Sequence, residues 1–211
     1  VRGADGAFLN GEHPRVASLT MAEIERFDIG RLNADTEYGR RFPDQAQMDG
    51  VRVPRLGELL DLVSQPKYAT ACLMLELKSD PDFAQDSAVR ERIVSVICRD
   101  VREAKLADRT LLHSFDWALL AECRRHAPDM PLSFLTQLQE NEHDVGEDSS
   151  ILVTPDFRKP DMSVPDEVSK AGGSLWCPHF TELGADDRAR ARELGLAVAT
   201  WTVNEPDDIE A

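Results

Sequence analysis

Residues 73–78 read LMLELK. In a strand, side chains alternate between faces, so Leu73, Leu75 and Leu77 share one face. Cys72, Met74, Glu76 and Lys78 share the other. If helices cover the leucines, an acid and a base point inward near the C-terminal end of a buried strand. Inside a closed barrel that is the top of the core, where catalytic groups stand. An open doubly wound sheet also places ligands at C-terminal strand ends. A carboxylate there can hold a hard cation through oxygen. An ammonium two residues further reaches the anion that such a cation attracts. The plainer alternative is a Glu76–Lys78 ion pair closing the strand.

Outward from this stretch, strand and helix alternate. The strand-like run covers 69–78 and is followed by a helical segment at 86–106 with Val89, Ile93, Val96, Ile97 and Val101 in one stripe. TLLHSF (110–115) reads as a strand, and Asp116 then caps a helix through Arg125. PLSFLTQ (131–137) is a strand, the acidic stretch 139–150 a solvated loop, and ILVT (151–154) a short strand or buried turn. A short helix at 164–173 with a glycine stop, a strand at 174–180, a charged helix at 185–195 and a strand at 196–205 complete the series. Asn204 and Asp207 open one more helix. Such alternation predicts an α/β fold with parallel strands.

Residues 1–50 are rich in Gly, Pro, Asn and Asp. They read as a loop-rich, insertion-like segment of one domain spanning 1–211. Its one helical segment opens with Thr20 and Glu23 as a capping box and reaches Gly30 as a C-terminal stop. A second short helix follows Pro54.

In the last strand, Ala197, Ala199, Trp201 and Val203 share a face. The small residues suit a crowded interior, and Trp201 reads either as core or as an apolar wall for a substrate. Asp116 reads as a cap, not a catalyst. His13, His113, His126, His143 and His179 form no H-x-H or H-E-x-x-H pattern, and the chain has no P-loop, G-x-S-x-G or G-x-G-x-x-G. Cys72, Cys98, Cys123 and Cys177 form no C-x-x-C pair and read as buried free thiols.

The net charge of −15 argues against a nucleic-acid partner but not against a small anion held by a bound cation. No apolar run approaches the roughly 20 residues of a membrane span. The N-terminal residues carry no signal-type apolar core, and the compartment, cytoplasmic or exported, stays open.

Several segments in order resemble the glycerophosphodiester phosphodiesterase family: LTMAEIERFDIG, VPRLGELLDLV, LELK, SFD and ATWTVNEPDD. The resemblance runs from about residue 15 to the C-terminus. It implies a TIM barrel that hydrolyses glycerophosphodiesters to glycerol 3-phosphate and an alcohol, within lipid and glycerol metabolism. It implies a divalent cation, Ca²⁺ or Mg²⁺, with Glu76 as a metal ligand. Lys78 would contact the phosphate, Trp201 would line the pocket and Phe115 would form a second wall.

The family's H-R-G strand, E-x-D metal pair and H-D strand end have no counterpart in this chain. Arg2-Gly3 does not supply the first, because Val1 precedes it and no E-x-D strand follows. No catalytic histidine is therefore assigned. The segments correspond to strands four to eight, so the expectation is an incomplete barrel whose 211 residues alone are inactive. Two alternatives stand beside this one: a non-catalytic binding scaffold, and a different barrel enzyme using Glu76 and Lys78, such as a lyase.

Overall fold

A computed structural model describes residues 1–9, 14–79, 86–137 and 162–210. The acidic stretch 139–150, the ILVT segment, His13 and His143 lie outside the described residues. The chain divides into two compact units, Val1–Leu59 and Leu60–Ala211.

The first unit holds α1 (Met21–Ile24) and α2 (Glu37–Arg41). The Thr20–Glu23 capping box is present, with the Glu23 carboxylate accepting from Thr20 N at 2.8 Å. The expected helix is shorter than its sequence pattern, so Gly30 stops nothing. Gly30 instead lets backbone approach closely: a Cβ there would lie 2.4 Å from Met48 O. The unit is tied by Asp28, which accepts from Gly30 N at 2.9 Å and Gly50 N at 2.8 Å and pairs with Arg2. Asp49 joins Arg2 at 2.5 Å and Arg31 at 2.6 Å. Helix α3 (Leu56–Val63) runs across the division between the units.

The second unit is built on β1 (Leu73–Glu76), β2 (Thr110–Ser114), β3 (Leu132–Thr136), β4 (Leu175–Pro178) and β5 (Ala197–Val198). All pairings are parallel, in the order β1-β2-β3-β4-β5. A doubly wound sheet reverses its strand order at a switch point. This sheet never does, and sequential order is that of a (β/α) barrel. The described strands do not close: β1 and β5 are the sheet's two edges.

Helices α4 (Ser87–Glu103), α5 (Trp117–His126), α6 (Val164–Lys170) and α7 (Ala185–Glu193) connect the strands, and α8 (Pro206–Glu210) follows β5. Asp86 and Asp116 cap α4 and α5. Helix α4 buries Val94, Cys98 and Val101, a stripe turned by about one residue from the expected one, and Val96 is exposed. One sheet face carries Leu112, Phe134 and Trp176, all fully buried, and packs on α5 through an edge-to-face Trp117–Phe134 contact at 4.7 Å. Trp176 Nε1 donates to Thr136 Oγ1 at 2.9 Å on that helix face.

The strand expected at 196–205 shrinks to two paired residues, continued only by a bridge between His179 and Trp201. Pro178, expected to weaken β4, instead ends it and accepts from Trp201 N at 3.3 Å.

Candidate functional site

The other sheet face carries the candidate site. Strand register sets its rows. Glu76 pairs with His113, His113 with Ser133, Ser133 with Leu175, and Leu175 with Ala197. One step toward the C-terminal ends, Leu135 pairs with Cys177. Alternation adds Phe115 and Ala199 to that row. A further step brings Gln137, His179 and Trp201. The leucine face of β1 lies toward the helices and Glu76 toward this face, in the alternation expected of the strand: Leu77 is buried, while Met74, Glu76 and Lys78 are exposed.

Glu76 and Lys78 face each other at 3.0 Å, with side chains 35% and 54% exposed. At that exposure the pair itself is worth little. Both charges remain in reach of solvent and of an incoming anion. They line a narrow cleft with Leu77, Ser79, Ser114, Phe115 and Asp116.

Phe115 and Trp201 come together. Their rings meet edge to face at 5.3 Å, and His179 meets Trp201 edge to face at 4.9 Å. Phe115 directly follows β2, and Trp201 follows β5. The indole therefore reaches across the ends of β3 and β4 to close an apolar patch with Leu135, Cys177 and Ala199. Phe115 is 8% exposed, so it forms the floor of this patch more than an open wall.

Asp116 is a cap, as its position before a helix requires. Its Oδ1 accepts from Ala118 N at 2.9 Å and Leu119 N at 3.0 Å. Its Oδ2 is buried with no hydrogen-bond partner among the described residues.

Four polar residues on this face were missed by sequence reasoning. His113 and Ser133 sit beside Glu76, with His113 Nδ1 2.6 Å from Ser133 Oγ. Burial pushes the His113 imidazole below its ordinary value, against the opposing pull of the Glu76 charge. Gln137 and His179 lie at the strand ends. Parity with Phe115 would have found His113. Ser133, Gln137 and His179 needed the register between strands, which no single strand reveals.

A divalent cation needs six or more oxygens. Glu76 fits as one ligand, but among the described residues no cluster of three metal-binding groups includes it. The cluster that does form is Glu91, Glu122 and His126, on α4 and α5. The Arg125 guanidinium already pairs with both its carboxylates, 2.5 Å from Glu122 and 3.1 Å from Glu91. His126 thus belongs to an interhelical ion-pair network, not to the face of Glu76. Cys98, Cys123 and Cys177 are buried as expected, whereas Cys72 is exposed, since it shares the Glu76 face of an edge strand. No helix among the described residues is long and apolar enough to cross a membrane.

The glycerophosphoryl diester phosphodiesterase family profile matches residues 2–211. A protein from Silicibacter pomeroyi DSS-3, assigned as a glycerophosphoryl diester phosphodiesterase, is 48% identical with a TM-score of 0.88. That match covers 99% of this chain and 66% of the other. A Galdieria sulphuraria structure assigned as a glycerophosphodiester phosphodiesterase shares the fold at 17% identity and TM-score 0.64, over 94% of this chain and 64% of its own. One from Parabacteroides distasonis ATCC 8503, a glycerophosphodiester phosphodiesterase, does so at 22% and 0.58, over 81% and 60%. This chain therefore spans about two thirds of the length of these proteins. No curated protein sequence matches it.

Proposed function

This chain belongs to the glycerophosphoryl diester phosphodiesterase family, and from that premise we propose that its protein hydrolyses glycerophosphodiesters to glycerol 3-phosphate and an alcohol. The observation that carries the proposal is the Glu76–Lys78 pair standing beside the Phe115–Trp201 patch at the C-terminal ends of the strands. Barrel enzymes do their chemistry at that end. The five strands correspond on this reading to strands four to eight of the family barrel.

Lys78 holds a phosphodiester oxygen through a charge-assisted hydrogen bond. Glu76 would supply one oxygen to a Ca²⁺ or Mg²⁺ ion, whose chemistry when bound would be neutralisation of the diester and polarisation of phosphorus. Trp201 and Phe115 keep the carbon side of the substrate out of water. The product glycerol 3-phosphate places the protein in glycerol and lipid metabolism.

Release of glycerol 3-phosphate from glycerophosphocholine by the full-length protein tests this, with Ca²⁺ or Mg²⁺ and with chelator. Metal-dependent release is expected. No release from any glycerophosphodiester overturns the proposal and leaves a binding scaffold in its place. The same assay on the 211 residues alone decides their expected inactivity, which gains no support from a family match running over residues 2–211.

A further inference from the structure

We infer that Gln137 and the Trp201 indole N–H form a subsite for a neutral, hydroxyl-bearing part of the substrate. This deepens the phosphodiesterase proposal and rests on it for the identity of the substrate. Among the described residues, both polar atoms of the Gln137 carboxamide are buried without a hydrogen-bond partner. Trp201 Nε1 is buried without one as well. Buried polar groups are nearly always bonded, and leaving one unbonded is costly. Three such atoms on two residues of one sheet face call for a common explanation.

Their position supplies it. Gln137 follows β3 on the same face as Glu76, and Trp201 crosses the ends of β3 and β4 to reach Phe115. The group that fits must both donate to the amide oxygen and accept from the amide N–H and the indole N–H. A hydroxyl does both. The carbon face of a polyol also packs on aromatic rings, which Trp201 and Phe115 provide. A quaternary ammonium would satisfy none of the three atoms. Gln137 as a whole is half-buried, so rotation about its side-chain torsions brings the amide out to a ligand.

Hydroxyls could come from the glycerol moiety common to all these substrates or from the departing alcohol. Gln137→Leu in the full-length protein separates these sources. Calorimetry compares glycerol 3-phosphate with inorganic phosphate, which has no polyol. Steady-state kinetics compare glycerophosphocholine with glycerophosphoinositol.

If the glycerol moiety is held, glycerol 3-phosphate binding and kcat/KM for both diesters fall about 5- to 10-fold while phosphate binding is unchanged. If the alcohol is held, only glycerophosphoinositol suffers. Unchanged binding and kinetics for every ligand overturn the inference. The melting temperature of the unliganded variant should not fall, because an unbonded amide has been replaced by an apolar group of similar size. If Gln137→Leu does not fold, Gln137→Met takes its place. Should the wild type hydrolyse no diester yet lose glycerol 3-phosphate binding on Gln137→Leu, the subsite stands and the phosphodiesterase proposal falls.

Discussion

Glu76→Gln keeps the size of the side chain and removes its charge. With Glu76 as a cation ligand, Ca²⁺ or Mg²⁺ affinity and turnover should fall together in the full-length protein. Calorimetry showing unchanged cation binding would remove Glu76 from the metal site. Lys78→Met separates the second role. Substrate use should fall by about 10- to 150-fold in kcat/KM, from about 1.5–3 kcal/mol of lost charge-assisted bonding, with cation affinity nearly intact. Wild-type kinetics would reduce Lys78 to the partner of Glu76 across 3.0 Å. Both residues were legible in the sequence because two charges interrupt an otherwise apolar alternation. His113 and Gln137 were not, since their importance comes from neighbours on other strands.

At the scale of elements, caps were the most legible feature. Asp116 and Thr20 each stand where a polar residue precedes an apolar-periodic run, and each accepts a bond from the helix it opens. Asp116→Ala should cost about 1 kcal/mol, lowering Tm by about 2–4 °C, while Asp116→Asn should keep most of the stability. An alanine variant melting with the wild type would mean that the buried Oδ2 of Asp116 offsets what the cap contributes. Strand lengths were the least legible. A run such as LAVATWTVNE looks continuous by composition, yet the regular ladder with β4 stops after Val198 and resumes only at the His179–Trp201 bridge, because pairing is decided by the neighbouring backbone and not by composition. The α4 stripe was displaced for a related reason. Apolar content marks a helix face only broadly, and the packing of α4 against α5 decides which residues fill its centre.

For the whole molecule, the sequential strand order was within reach of the sequence through the family resemblance, whereas the division at Leu59 was not: it reflects which contacts form, not which residues occur. Acid should act on the molecule in two stages. His113 has its pKa lowered by burial from an ordinary 6.5, so the unfolded chain takes the proton first. Stability present above pH 6.5 is therefore lost as pH falls toward the depressed folded value. The second stage comes from carboxylates held at about 2 by their partners: Asp28 by the Gly30 and Gly50 amides, Asp49 by Arg31 and Arg2, Asp166 by Arg190. Their contribution is present above the ordinary 3.8 and is lost as pH falls through about 2. Thermal melts from pH 8 to 2 should show both stages. His113→Gln should abolish the first and keep the second, and an unchanged profile in that variant would discard the assignment.

The unequal burial of the four cysteines has a practical consequence. Burial pushes the Cys98 thiol up, Cys177 to about 11 and Cys123 to about 12, so all three remain protonated and shielded at neutral pH. Cys72 is exposed on the same face as Glu76, four residues before it. A maleimide dye should therefore attach once per folded chain and four times in denaturant, as counted by mass spectrometry. The natural sequence thus already carries an attachment point for a fluorescent or spin reporter at the rim of the Glu76 face, with no engineered cysteine needed.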